Sequence, residues 1–291
     1  MSQQRIPFVD THVHFYDLRN PELYYSWLQP EWFDPEFGDF DSLKALRYDT
    51  DPFLAEARFS EVRKIVHVQA AIGIEDPVRE TEWLQALADG TGLPTAIVAH
   101  CDLADPSAES ELARHAAFPA VRGVRDFGRG DYLTDPAWRR GLALLERFGM
   151  SLDLDCDHHQ MPVARELAET HAGVPIVLDH AGFPTARTKE YLAQWRNGLH
   201  ELAKAENAHC KISALGSRDP QWTVDSLRPW VLSCIEAFGP DRCMFGSNWP
   251  IDRLYSSYTP LVDAYAEIIS GFTRAEQESL FHGTAERVYR I

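Results

Sequence analysis

Positive charge is scarce in this 291-residue chain: 28 Lys and Arg stand against 44 Asp and Glu, a formal net charge of −16. That balance counts against a nucleic-acid partner, because phosphate binding needs a basic face. It leaves room for an anionic small molecule if arginines are gathered locally. No uninterrupted apolar run approaches the ~20 residues needed to cross a bilayer, so no membrane partner is expected. The opening MSQQRIPFVD has no apolar stretch of the signal-peptide kind. Cysteine is also sparse. Cys101, Cys156, Cys210, Cys234 and Cys243 are odd in number and widely spaced, with no CxxC. This excludes a disulfide framework and points to reduced thiols in a cytoplasmic protein. No GxGxxG or GxxxxGK[ST] follows a strand-like run, and there is no internal repeat.

What the chain does have is a recurring pattern of short, near-continuous apolar runs with helical spacing between them. Eight runs read as strands: 7–15, 64–70, 94–101, 121–127, 151–156, 175–182, 209–216 and 242–248. Continuous rather than alternating hydrophobicity is expected of parallel strands covered by helices. Helical spacing is found over 76–87, 107–117, 135–148, 161–171, 189–206 and 223–238. Thr273 and Glu276 form a capping-box pattern that opens a last helix. Eight strand–helix units predict a single-domain α/β protein spanning 1–291, a (β/α)8 TIM barrel. The first connection is unusually long. Over 23–55 it carries Tyr24, Tyr25, Trp27, Trp32, Phe33, Phe37 and Phe40, and in a barrel it would lie over the C-terminal mouth as a lid or as a satellite core. The aromatics of 23–40 could equally pair subunits in a homo-oligomer.

Candidate chemistry collects at the ends of the predicted strands. In VDTHVHF, His12 and His14 are two apart, face one way on a strand and lie roughly 6.5 Å apart at Cα, close enough to share one metal ion or one substrate oxygen. Asp10 shares that side, one step deeper. His180 ends the sixth strand, with Asp179 beside it as a candidate partner that orients an imidazole. Arg122 and Arg125 on the fourth strand offer planar forks for a carboxylate or phosphate; Arg125 is the one expected at the mouth. On the fifth strand Asp153 and Asp155 face the interior, with Asp155 nearer the mouth and suited to act as a base. Gln69 shares a face with His67, and Lys211 with Ser213. Tyr48, Trp249 and Asp252 are further candidate substrate contacts. His158 and His159 are adjacent on a loop and only weakly specific.

The ordered set VDTHVHFYD, HVQA, IVAHCDLADP, VRGVRDF, LDHAGFP, CKISALG and MFGSNWP, closed by HGTAERVYRI, resembles amidohydrolase family 2, the lactonase-like branch of the amidohydrolase superfamily of TIM-barrel metal-dependent hydrolases. The resemblance runs along essentially the whole chain. It implies a site at the C-terminal strand ends and hydrolysis of a sugar-acid lactone or a muconolactone- or pyrone-type ring, in carbohydrate or aromatic catabolism. His12, His14 and His180 match the family's histidines and would hold one divalent ion, zinc or manganese, if a metal is used; some lactonases of the branch are thought to need none. Asn248 falls where most relatives have aspartate. No lysine stands on the fourth strand to form a bridging carbamate, and the fifth offers Asp155 rather than histidine.

These residues lead to one main expectation. His12, His14 and His180 polarise a lactone carbonyl, Arg125 with Arg122 anchors a substrate anion or hydroxyl, Asp155 or else Asp252 activates water, and Asn248 orients water or substrate. The alternatives are a lactone isomerase, which needs no water base, a decarboxylase of a sister branch, and a non-catalytic ligand-binding barrel.

Overall fold

The computed structural model describes residues 5–33, 40–128 and 130–291; Phe37 lies outside them. Eight parallel strands follow one another in sheet order and chain order. They are β1 (Phe8–Val13), β2 (Val62–Val68), β3 (Ala96–His100), β4 (Val121–Arg125), β5 (Ser151–Leu154), β6 (Ile176–Leu178), β7 (Ala208–Ile212) and β8 (Cys243–Phe245). A helix follows each: α1 (Thr50–Ala57), α2 (Val78–Thr91), α3 (Ala108–His115), α4 (Pro136–Phe148), α5 (Met161–Thr170), α6 (Lys189–Leu202), α7 (Val224–Phe238) and α8 (Tyr258–Ile268). The expected (β/α)8 barrel is therefore present. Its strands are shorter than the apolar runs by one to four residues at the C-terminal end, because there the backbone leaves the ladder to present side chains.

Two buried clusters explain the hydrophobic pattern. Outward-facing Phe8, Ile65, Ile97, Val124, Leu152, Ile176 and Phe245 pack under the helices. Inward-facing Val9, Val66, Val68, Val98, Val177 and Met244 fill the barrel together with Val288 and Tyr289. Those last two come from α10 (Thr284–Tyr289), which follows α9 (Arg274–Glu278) and stops the N-terminal end of the barrel. The α9 capping box is formed by Thr273 and Glu276 as the sequence suggests.

The barrel closes between β1 and β8 through a backbone bridge at the mouth and side chains below it. Val13 bridges Trp249, and His14 N donates to Trp249 O at 2.7 Å. Deeper down, Asp10 takes the place of a ladder: it accepts from Ser247 N (2.8 Å), Ser247 Oγ (2.6 Å) and the Tyr258 hydroxyl (2.6 Å). Gly246 permits this approach, since a Cβ there would stand 2.9 Å from Thr11 Oγ1 and 3.0 Å from His12 Cβ. Asp10 is thus a structural strut.

The described part of 23–55 is both a packed aromatic cluster and a wall of the mouth. Tyr16–Asp17 pairs antiparallel with Arg47–Tyr48, Tyr16 stacks on Tyr48 with ring centroids 5.9 Å apart, and Trp27 Nε1 donates to Ala70 O at 2.7 Å. Among the described residues no helix is long and apolar enough to cross a membrane. All five cysteines are free and buried.

Candidate active site

The mouth of the barrel holds a cavity of about 500 Å³. Its floor is polar, with His14, Gln69, Arg125, Asp155, Asp179, His180 and Asn248; its walls include Trp27, Trp32, Phe40, Phe127 and Phe183. His12 lies just beneath, its ring centroid 4.9 Å from that of His14 and 4.2 Å from that of His180.

Backbone irregularity assembles this floor. The register of β1 against β2 slips between Asp10 and Val13. β6 ends at Leu178, and His180, Ala181 and Phe183 then take left-handed φ of 52°, 55° and 47°. Such a turn costs roughly 1–2 kcal/mol per non-glycine residue. It lets adjacent Asp179 and His180 both reach the site, which a regular strand forbids. Asn248 is also left-handed, with φ 56°, a conformation that asparagine tolerates better than most residues.

The histidines are neutral, and their tautomers can be read from their partners. Burial lowers His12 and His14 well below the ordinary histidine value and His180 to about 3. His14 Nδ1 lies 2.8 Å from Val68 O. A carbonyl only accepts, so Nδ1 carries the proton and Nε2 is bare. His12 Nδ1 faces Asp179 Oδ1 at 3.3 Å, while its Nε2 receives Arg125 Nη1 at 3.4 Å. His180 Nδ1 meets Ser213 Oγ at 2.8 Å, a hydroxyl that can donate or accept, so this ring alone can turn either nitrogen form toward the cavity.

The carboxylates divide into two kinds. Burial works against Asp179, but Lys211 (3.2 Å), His12 and Arg125 (3.6 Å) hold it well below the usual carboxylate range. Asp155 is pushed up to about 7, by burial first, with Arg125 at 3.9 Å opposing. Its Oδ2 has no hydrogen-bond partner among the described residues. Arg125 also donates through Nη2 to Gln69 O at 3.1 Å and lies 4.2 Å from the Phe127 ring centroid. Below them Lys211 pairs with Asp153, and the Tyr289 hydroxyl donates to Asp153 at 3.0 Å.

Several sequence candidates stand away from the cavity. A register shift of β4 against β3 skips Arg122, whose guanidinium donates to Pro119 O and, at 2.9 Å, to Val121 O. Trp249 Nε1 donates to Glu56, and the Tyr48 hydroxyl reaches it at 3.5 Å, so both belong to the packed rim. Asp252 is buried behind Asn248, whose Nδ2 donates to Asp252 Oδ1 at 2.9 Å. The rings of His158 and His159 lie against each other, tilted by 38° with centroids 3.9 Å apart, outside the floor. Phe127 and Phe183 were not among the sequence candidates, although each directly follows a strand-end motif, RD and DHAG.

A single chain of eight β/α units with imidazoles, an arginine and carboxylates at the C-terminal strand ends is the architecture of an amidohydrolase-type hydrolase. The sequence model of amidohydrolase family 2 matches residues 9–291, and the chain belongs to that family. It is 36% identical over 298 residues to the uncharacterized protein y4mH of Sinorhizobium fredii, covering 98% of this chain and 99% of that one. It is 28% identical over 292 residues to an L-fucono-1,5-lactonase of Burkholderia ambifaria, covering 97% and 95%. A solved amidohydrolase of Burkholderia multivorans with bound zinc superposes with a TM-score of 0.82 at 28% identity, covering 98% and 99%. Family membership makes the chain an amidohydrolase-type hydrolase.

The superfamily is usually metal-dependent, so the floor was tested as a metal site. Its tautomers suit one: a ligating histidine commonly donates its other nitrogen to a carbonyl or carboxylate. The arrangement does not. Arg125 takes His12 Nε2 and stands 3.9 Å from Asp155 and 3.6 Å from Asp179, so a fixed cation already sits among the groups that a metal would need, and strand β8 offers an amide in place of an acid. Among the described residues no group of three or more His, Cys, Asp or Glu is placed to hold a metal.

Proposed function

We propose that this chain hydrolyses the ester bond of a neutral, polyhydroxylated lactone using its own side chains. The observation that carries this reading is the Arg125–Asp155 pair: a permanent cation and a carboxylate with a free oxygen and a pKa of about 7, both on the floor of one cavity. The L-fucono-1,5-lactonases among the relatives support the bond type.

In this mechanism the carbonyl oxygen lies against the Arg125 guanidinium and the His180 Nε2–H tautomer, the two donors available to a developing oxyanion. Neutral His14 presents a lone pair, so it receives a hydrogen bond from water or from a substrate hydroxyl. Asp155 removes a proton from the attacking water. The ring C–O bond then breaks, and the proton held by Asp155 passes to the departing ring oxygen, giving the open hydroxy acid.

The charge around the cavity favours a neutral ring. Arg125 is already offset by Asp155 and Asp179, and Asp157 also lines the cavity. Among the described residues, a substrate carboxylate would find no uncommitted cation on the floor. In contrast, Gln69 Oε1 and Asn248 Oδ1 are buried acceptors without partners among the described residues, and with His14 Nε2 they suit several hydroxyl donors. Such a step fits the breakdown of a sugar acid, and five free thiols suit a reducing cytoplasm.

The test is turnover of L-fucono-1,5-lactone and a panel of other aldonolactones, followed by proton release and by NMR of the product. A ring-opened acid is expected. A second lactone would replace hydrolysis with isomerisation, and no conversion of any lactone would overturn the reading.

A further inference from the structure

The Asn248 amide has one oxygen and one nitrogen, and which of them faces substrate decides what it recognises. Asn248 and Asp252 are both buried, and they are tied twice within one turn. Asp252 N donates to Asn248 O at 3.1 Å, and Asn248 Nδ2 donates to Asp252 Oδ1 at 2.9 Å. Burial pushes Asp252 up to about 7; above that pH its carboxylate can only accept, so there the NH2 end is turned to Asp252 and the carbonyl end is left over. That carbonyl oxygen is buried, has no hydrogen-bond partner among the described residues, and belongs to a residue lining the cavity. Asp252 itself does not line it.

We infer that Asp252 is a positioning residue that locks the Asn248 amide as a hydrogen-bond acceptor, so that the site selects a ring bearing a hydroxyl at that point. Asp252 touches neither water nor substrate. Without it the amide is free to rotate and present NH2, which meets a hydroxyl oxygen less favourably and leaves the hydroxyl proton unpaired. The left-handed backbone of Asn248, φ 56°, limits what else the side chain can reach. The recognition of a hydroxyl rests on the lactonase reading; the orientation of the amide does not.

Two measurements separate these. The first compares kcat/KM for L-fucono-1,5-lactone with that for δ-valerolactone, a ring without hydroxyls, in wild type, Asp252→Ala and Asp252→Asn. Asp252→Ala is expected to lose about tenfold on the hydroxylated ring, the size of one hydrogen bond to a buried acceptor, and less than twofold on δ-valerolactone. Asp252→Asn keeps a carbonyl that can accept from Asn248, and should stay within threefold of wild type on both. If Asp252→Asn falls as far as Asp252→Ala, the carboxylate is acting as a base and the inference is overturned. Equal losses on both rings for Asp252→Ala, a purely structural effect, would overturn it as well. The second measurement needs no substrate and no folded variant of Asp252. The Asn248 side-chain NH2 signals, assigned by their disappearance in Asn248→Ala, are expected to exchange slowly with solvent in the wild type. Rapid exchange would show that the NH2 does not face Asp252. If the wild type opens neither lactone, the proposed function fails while this second result still decides the amide's orientation.

Discussion

Arg125 Nη1 stands 3.9 Å from Asp155 Oδ2, near enough to stabilise the carboxylate and too far to hydrogen-bond it. The oxygen is thus kept chargeable and left free for water. If Asp155 is the base, Asp155→Asn should lower kcat by 10²- to 10⁴-fold with KM nearly unchanged. In the wild type, kcat/KM should rise with pH through about 7, the value to which burial pushes this group, and the variant should lose that limb. Retention of the limb in Asp155→Asn would assign the base elsewhere.

The same guanidinium is asked to do something a lysine cannot. Arg125 reaches His12 Nε2, Gln69 O and the Phe127 ring at once, and its planar fork has donors for more than one of these. Arg125→Lys should therefore cost about 10²-fold in kcat/KM, nearly as much as Arg125→Ala, through loss of oxyanion stabilisation. Steady-state kinetics on one lactone suffices; a lysine variant within threefold of wild type would show that charge alone is enough.

Activity and stability should move in opposite directions with pH. Asp155 and Asp252 are each raised from 3.8 to about 7. Between these values the native state holds protons that the unfolded chain has released, so stability falls as pH rises across this window. Asp179 is shifted the other way, and its contribution is lost only as pH falls below the ordinary carboxylate range. The melting temperature should decline from pH 5 to pH 8, and Asp155→Asn should flatten the slope and melt ~2–4 °C above wild type at pH 8. A variant whose slope matches wild type would remove Asp155 from the account.

The barrel and the floor were readable in the sequence to different depths. Near-continuous apolar runs gave eight strands because helices cover every strand, and HxH, RD and DH motifs marked the strand ends where side chains meet. Position along the strand favoured Arg125 over Arg122 for the mouth, but the register slip in β4 that skips Arg122 carries no sequence signal. Nor could the entry of both Asp179 and His180 be foreseen, because it depends on consecutive left-handed residues. Asp252 looked like a free carboxylate four residues past Asn248; only the turn reveals that the two face each other. Phe127 and Phe183 escaped because a wall needs only proximity, which carries no periodic signal.

Metal binding offers a direct check on the floor. Arg125 occupies His12 Nε2, so wild-type activity should survive chelation within twofold. Zinc should bind Arg125→Ala at least tenfold more tightly than wild type, because a third imidazole nitrogen is released. Asn248→Asp, which adds an acidic ligand, should tighten zinc in the same titration. Loss of wild-type activity on chelation, restored by zinc, would place the ion in the working site and displace Arg125 from His12.

The deepest charges make a stability prediction that is also a test of their pairing. Lys211 is fully buried between Asp153 and Asp179, 3.2 Å from Asp179 Oδ1, and the Tyr289 hydroxyl completes the cluster from α10. Lys211→Met keeps the stem but removes the charge, leaving two carboxylates in the barrel core. Breaking a buried pair from one side costs about 3–5 kcal/mol. The remedy open to the variant is protonation. Asp153 is already raised to about 6, by burial first, against the pull of Lys211. Removing that cation raises it further and lifts Asp179 from its depressed value, so the deficit should be large at pH 8 and shrink toward pH 5, where the acids can be neutral. Urea midpoints of wild type and Lys211→Met at both pH values read this directly. The same deficit at pH 5 and pH 8 would mean that Lys211 contributes packing rather than charge, and Asp179 would then have to be held ionised by Arg125 and His12 alone.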